Sequence, residues 1–440
     1  MRVRTYFLVL LLLCSGWNLL SQSDLMLYNF NAIGQSLHTN PGMQQQSKFW
    51  LALPGLAGAS FNYHNNGFAL VDLLEEGSNV NENLEQVSRN LDGQSHLTLS
   101  GSLDLLGIGF KAGNGFVSMG STVDIAYRMD LPGALMKVLF VDDNNNTLTN
   151  FSIDNFEFET VARTNLYLGY QHTFLDERLT VGARYKYIIG QAHSHFERAR
   201  LSIENQSNFS AIINTDVLLQ SSGRSLVEGD NLNDPGSLAL TDNRGMAIDL
   251  GATYKLTERW ELSASIIDLG SITWQQDVAQ FKSDGTYEFD GVDVDLSNEN
   301  TGSGFDDFAD TLVEAFNFEE TQGGNYTKSL MSQVFAGANF FVTPNHVFGA
   351  LYHARIWNGT WYHDIGINYQ GRLARDFQII GGYSIINGVA HNIGAGLQAK
   401  LGPVQLFVLT ENLVGAIAYQ GLQTTNVRLG INIAFLGSND

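Results

Sequence analysis

His193 and His195 stand two positions apart, a spacing that puts both imidazoles on one strand face, where they would make two metal ligands. No third ligand lies nearby, so the pair reads as polar side chains at a barrel rim, and no metal is assigned. Asp290, Asp293 and Asp295 offer carboxylate oxygens of the kind that Ca²⁺ takes. They lie in a stretch, Lys282 to Asp310, with nine Asp or Glu and one Lys, but they lack the twelve-residue order of an EF-hand. That stretch reads as a solvated acidic loop. Ser36 and His38 have the side chains of a hydrolase site, without the Gly-x-Ser-x-Gly elbow or a marked acid partner. There is also no P-loop, dinucleotide fingerprint or zinc motif. No catalytic centre is assigned, and no cofactor is expected.

The beginning of the chain places those residues in context. Arg2 and Arg4 precede an apolar run, Tyr6 to Leu13, and the small-residue pattern Ser21-Gln22-Ser23 follows. This is the layout of a cleaved signal peptide over residues 1–23, and the apolar run is far shorter than the roughly 20 residues of a spanning helix. Leu13 before Cys14 is too bulky for a lipoprotein cleavage box. Cys14 is the only cysteine, so a mature chain would hold neither disulfide nor thiol chemistry. A formal charge of −21 disfavours a nucleic-acid partner. With 45 Gly, 6 Pro and many aromatic and β-branched residues, the composition suits strands and bends.

Period-two alternation runs through most of the chain. Met246, Ile248 and Leu250 oppose Asp249 and Gly251; Val181 and Tyr185 oppose Arg184 and Lys186; Ile365 and Ile367 oppose Asp364 and Asn368. A sandwich would turn the apolar face inward, and a membrane barrel would turn it outward to lipid. Strands of about ten residues or more, the length of a tilted spanning strand, favour the barrel. Aromatics near strand ends point the same way, among them Tyr167, Tyr170, Phe174, Trp260, Trp274, Trp357 and Trp361. The expected fold is all-β: one antiparallel transmembrane barrel of about 14 strands, within 12 to 16. Turns are expected at Leu175–Arg178, Leu256–Arg259, Thr343–His346, Ile356–Trp361 and Leu401–Pro403, all short and all facing the periplasm. Two loop helices are expected, over Asp130–Phe140 and Phe305–Phe318.

Two segments carry resemblances. The last alternating run, Asn426 to Phe435, resembles the C-terminal signal by which the barrel-assembly machinery recognises outer-membrane barrels, with Arg428, Gly430, Ile433 and Phe435 in its places. Asn40-Pro41-Gly42 before the first strand, together with Asp268-Leu269-Gly270-x-Ile272-x-Trp274, looks like an outer-membrane barrel family of unknown activity from Bacteroidota. The similarity covers essentially the whole mature chain. That family is in turn similar to FadL-type and PorV-type barrels, in which an Asn-Pro-Ala element lies in or beside an N-terminal hatch; here the third residue is Gly42. FadL-type proteins pass hydrophobic molecules through the outer membrane, whereas PorV-type proteins serve secretion.

Two functions follow as expectations. In the first, residues 24–48 form a plug in a barrel of residues 49–440 and gate passive uptake of a hydrophobic or small polar solute. A lumen this wide needs filling, and the Asn and Gln of the segment suit its polar wall. In the second, the barrel is a non-transporting platform for secretion or surface assembly, binding a protein partner through acidic outer loops. Either places the protein in the outer membrane of a Gram-negative bacterium, in contact with its lipid. Asn40-Pro41-Gly42 has the chemistry of a type II turn and would turn the plug into the first strand.

Overall fold

The computed structural model describes residues 24–53, 57–68, 80–91, 93–133, 137, 150–154, 156–207, 210–223, 241–289, 319–413 and 423–436. The leader over residues 1–23, the candidate Ca²⁺ ligands Asp290, Asp293 and Asp295, and the helix expected at Phe305–Phe318 lie outside them.

Among the described residues twenty strands form one sheet: β1 (Ser47–Ala52), β2 (Ala59–Asn65), β3 (Gln94–Ala112), β4 (Gly115–Pro132), β5 (Phe151–Asp154), β6 (Phe158–Phe174), β7 (Leu179–Ser207), β8 (Ser210–Ser222), β9 (Arg244–Lys255), β10 (Trp260–Trp274), β11 (Ala279–Phe289), β12 (Glu319–Gln322), β13 (Tyr326–Ser329), β14 (Ser332–Thr343), β15 (His346–Trp357), β16 (Thr360–Ala374), β17 (Phe377–Ile386), β18 (Val389–Leu401), β19 (Val404–Thr410) and β20 (Thr424–Leu436). The wall is a closed antiparallel barrel of 14 strands, with β1 and β2 sharing one place between β20 and β3. Above Ile189, β7 leaves its neighbour β9 and pairs with β8, which pairs with β11 and then β12. These strands make a blade that rises beyond the wall.

The two faces decide between sandwich and barrel. Ile367 is 62% exposed on the outer face, whereas Asp364 of the same strand is fully buried. Arg184 is buried between exposed Val181 and Tyr185, and buried Asp249 lies between exposed Ile248 and Leu250. Apolar side chains outside and polar ones inside are the arrangement of a barrel in lipid.

Some local expectations change. Short turns at 113–114, 175–178, 256–259, 344–345, 375–376 and 402–403 lie at one end of the barrel, together with the starts of β1 and the finish of β20. The turn within Ile356–Trp361 lies at the opposite end, as does the one at 387–388, because each joins a rising strand to a descending one. Both are Asn-Gly hairpins with positive φ at each residue: 47° and 83° at Asn358 and Gly359, 45° and 82° at Asn387 and Gly388. The helix expected at Asp130–Phe140 does not begin at Asp130, since β4 holds register with β3 as far as Pro132; beyond it Gly133 and Lys137 are helical, and the rest lies outside the described residues. Tyr167, Trp274 and Trp357 do not join an outer aromatic girdle; all three turn inward and are buried.

The first wall strand is interrupted. Ala52 faces Gly107 and Ala59 faces Leu103, so seven steps along β1–β2 oppose four on β3. Against β20 the same seven steps oppose three.

Candidate functional site: the lumen plug and its polar cavity

Residues 24–46 enter the lumen before the wall begins at Ser47. Helix α1 (Leu25–Asn29) is followed by a 3₁₀ turn over Gly34–His38, and α1 is buried throughout. A single apolar turn such as Leu25-Met26-Leu27-Tyr28 has no stability in water on its own. Here the wall supplies its partners. Met26, Leu27, Phe30 and Ile33 pack on Ile380, Phe407 and Leu409. Leu25, Tyr28 and Met43 pack on Ile267, Phe335, Leu351 and Ile386, with Tyr28 stacked on Phe335 at 4.9 Å. Leu37 packs on Trp50, Phe116 and Ala434 of β1, β4 and β20.

The amides of the segment complete the fit, because buried polar groups need partners. Gln35 Nε2 donates to the Ala57 carbonyl at 2.8 Å and to Asn432 Oδ1 at 2.9 Å, which ties the plug to the interrupted strand. Gln44 Nε2 donates to Thr180 Oγ1, and Gln46 Oε1 accepts from Arg372 and Gln378. Glu411, in the connection after β19, accepts from the Met26 amide at 2.7 Å; burial pushes its carboxyl well above the usual carboxylate range.

Asn40-Pro41-Gly42 is a turn, but not of type II. Asn40 O accepts from the Met43 amide at 3.1 Å and Asn40 Oδ1 from the Gly42 amide at 2.8 Å, while Gly42 lacks the positive φ that type II requires. Glycine is needed there for space instead. A Cβ on Gly42 would fall 2.4 Å from the Gly251 carbonyl oxygen. The seat is reciprocal: a Cβ on Gly251 would meet Asn40 Oδ1 at 2.1 Å, and one on Gly182 would meet the Pro41 carbonyl oxygen at 2.0 Å. Gly182 and Gly251 are cross-strand partners on β7 and β9. The turn therefore rests directly on bare backbone.

Beside the plug the wall is charged. His38 accepts from Arg184 at Nδ1 (2.7 Å) and meets Asp104 through Nε2 at 3.3 Å, which makes Nε2 the protonated nitrogen. Arg184 also pairs with Asp249 at 2.6 Å. Lys186 bridges Asp249 and Asp268 at 3.0 and 2.5 Å, and Arg163 joins Asp268 at 2.8 Å. The register of β10 shifts between Ile266 and Leu269, where Asp268 takes a φ of 60° and its amide donates to Asp249 Oδ1. This bulge aims the Asp268 carboxylate into the charge network. Leu269 is exposed on the outer face, and Gly270 lies where a Cβ would meet the Met246 carbonyl oxygen at 2.0 Å. Ile272 and Trp274 are buried against Ile188 and Ala247.

These groups line a cavity of about 130 Å³, to which the plug contributes Asp24 and His38. Six basic and four acidic side chains line it, although the chain holds 45 acidic against 24 basic residues.

The other candidates separate. Ser36 Oγ donates to the Ile33 carbonyl and accepts from Gln45 while His38 is engaged elsewhere, so the two form no hydrolytic pair. His193 and His195 do adjoin, with ring centroids 4.9 Å apart, but His193 is held by Glu159 and Tyr326 and stacked on Trp274, and His195 turns to Glu197. Among the described residues no three His, Cys, Asp or Glu side chains come together as a metal set. In β20, Arg428 and Gly430 face inward while Ile433 and Phe435 face outward; Arg428 also pairs with Asp24 of the plug at 3.0 Å. Sequence reasoning missed Gly182, Gly251, Glu411 and Arg163. The glycine pair alone left a signal, as small residues on the polar face of adjacent strands.

A family model, the family of unknown function DUF5723, matches residues 41–411. The chain belongs to that family. No curated protein matches it. Among solved structures it is similar to the toluene transporter TbuX of Ralstonia pickettii (10% identity, 90% of this chain and 92% of the other, TM-score 0.42). It is also similar to the toluene transporter TodX of P. putida (11%, 91% and 94%, 0.41) and to a FadL homologue of Pseudomonas aeruginosa (8%, 88% and 89%, 0.41).

Proposed function

We propose that this member of the family is a gated outer-membrane channel for passive uptake, in which residues 24–46 hold the lumen shut and shift to let a small solute through. The observation that carries the reading is the plug itself, a segment that fills the lumen and is held by hydrogen bonds, ion pairs and apolar contacts to strands all around the wall. Of the two solute classes open from sequence, the lining favours the small polar one. The apolar side chains of the plug are spent on packing, and the space left beside it is charged. The register break between β1 and β2 lies against Gln35, so movement of the plug would release the wall there as well.

A secretion or surface-assembly platform is the second reading. It is supported by the blade, whose strand β12 pairs with β11 alone among the described residues and exposes all four of its side chains. Swelling of liposomes loaded with the purified protein, with and without residues 24–46, separates the two. Faster entry of small polar solutes after the deletion supports the channel; a deleted barrel that is folded yet passes nothing, beside a protein partner that co-purifies with the full chain, supports the platform.

A further inference from the structure

We infer that the cavity above the plug is a binding site for a compact oxyanion, a carboxylate or phosphate group on a small solute. This assigns a substrate class to the proposed channel, and its meaning in transport rests on that reading. Three observations converge. First, basic groups outnumber acidic ones in the lining of a strongly acidic chain. Most are compensated: Arg163 and Lys186 by Asp268, Arg128 by Glu159, Arg428 by Asp24. Lys328 lines the cavity and forms no ion pair among the described residues, which leaves one positive charge available to a ligand. Second, two lining residues carry buried N–H groups with no acceptor among the described residues, Arg128 at Nε and Trp274 at Nε1. Buried donors left unpaired are costly, and an anionic acceptor repays both. Third, the cavity volume of about 130 Å³ accommodates a small ion or organic acid. Trp274 is held in place by stacking on His193 at 4.7 Å, so its donor is fixed before a ligand arrives.

Calorimetric titration of the full chain in detergent micelles, at constant ionic strength, tests the site with inorganic phosphate, acetate and uncharged acetamide. Saturable binding of phosphate or acetate, with none of acetamide, is expected, and the stronger of the two names the headgroup. Lys328→Gln should weaken that binding about tenfold, the effect of losing one charge-assisted contact. Trp274→Phe removes the orphan donor, keeps most of the ring and should weaken it severalfold. Lys282→Gln, on the blade and paired with Asp284, should change nothing. Equal binding of acetamide, or identical affinities for the Lys328 and Lys282 variants, overturns the assignment. A full chain that passes small polar solutes but binds neither anion leaves the channel standing and removes the site. Anion binding that obeys this pattern in a protein passing no solute does the reverse.

Discussion

The glycine seat of the plug gives the sharpest perturbation. Gly251→Ala would place a methyl 2.1 Å from Asn40 Oδ1 and 2.9 Å from Pro41 Cδ, and Gly182→Ala would place one 2.0 Å from the Pro41 carbonyl oxygen. The Pro41 carbonyl oxygen is backbone and Pro41 Cδ belongs to a ring, while Asn40 Oδ1, although a side-chain terminus, is held by the Gly42 amide at 2.8 Å, so the turn must retreat from the wall by about 1 Å or more to restore ordinary contact. Overpacking of this kind costs about 1–3 kcal/mol. Retreat also loosens the bonds from Asn40 Nδ2 to the Ala252 carbonyl (3.4 Å) and Tyr28 hydroxyl (3.2 Å), worth roughly 1 kcal/mol together. A total of about 2–4 kcal/mol raises the unseated population roughly 30- to 1,000-fold. Hydrogen–deuterium exchange by mass spectrometry reads this directly, since amides of residues 24–46 exchange through unseating and wall amides do not. Exchange across the plug should accelerate by that factor in either variant, with exchange in β15–β18 unchanged. Unaltered plug exchange in a folded Gly182→Ala/Gly251→Ala double variant would refute the seat.

Other consequences follow from the same contacts. Asp268→Asn leaves Arg163 and Lys186 short of a counter-charge near the lumen and should lower barrel stability by about 3 kcal/mol, read as a lower temperature for the heat-dependent mobility shift on gels. Glu411 holds its proton more tightly in the folded protein than in the unfolded chain, so plug seating is strongest in acid and weakens as pH rises above the ordinary Glu value of 4.5. Glu411→Gln keeps an acceptor for the Met26 amide and should flatten that pH dependence of plug exchange, with the largest gain in protection at alkaline pH. Phe435→Ala removes an outward ring at the end of β20 and should cut the amount of barrel reaching the outer membrane severalfold, while refolding from urea into detergent stays intact.

The architecture was legible because alternation is a physical requirement in lipid. Residues such as Ile365, Asp364 and Ile367 report their faces by type alone, and the face that is apolar can only be the outer one once the strands exceed soluble length. Asn40-Pro41-Gly42 and the Asp268 to Trp274 motif stood out by their residue types, but not for the reason each is needed. Gly42 answers to the carbonyl of Gly251, more than two hundred positions away, and Asp268 to a bulge that no local pattern marks. The inward turn of Tyr167, Trp274 and Trp357 was hidden for a related cause: an aromatic near a strand end suits a lipid interface and a lumen equally well, and only the register chooses. The charged cavity is assembled from the plug and from β4, β6, β7, β10, β13 and β20, so its excess of basic groups is invisible in a chain that is acidic overall.

Single-channel recording in planar bilayers, on the full chain and on a barrel lacking residues 24–46, asks whether the segment is a gate. The full chain should be closed for most of the record, with brief openings, and the shortened barrel should conduct steadily while keeping its heat-modifiable mobility. Equal conductance in the two would mean that the lumen is not closed by this segment.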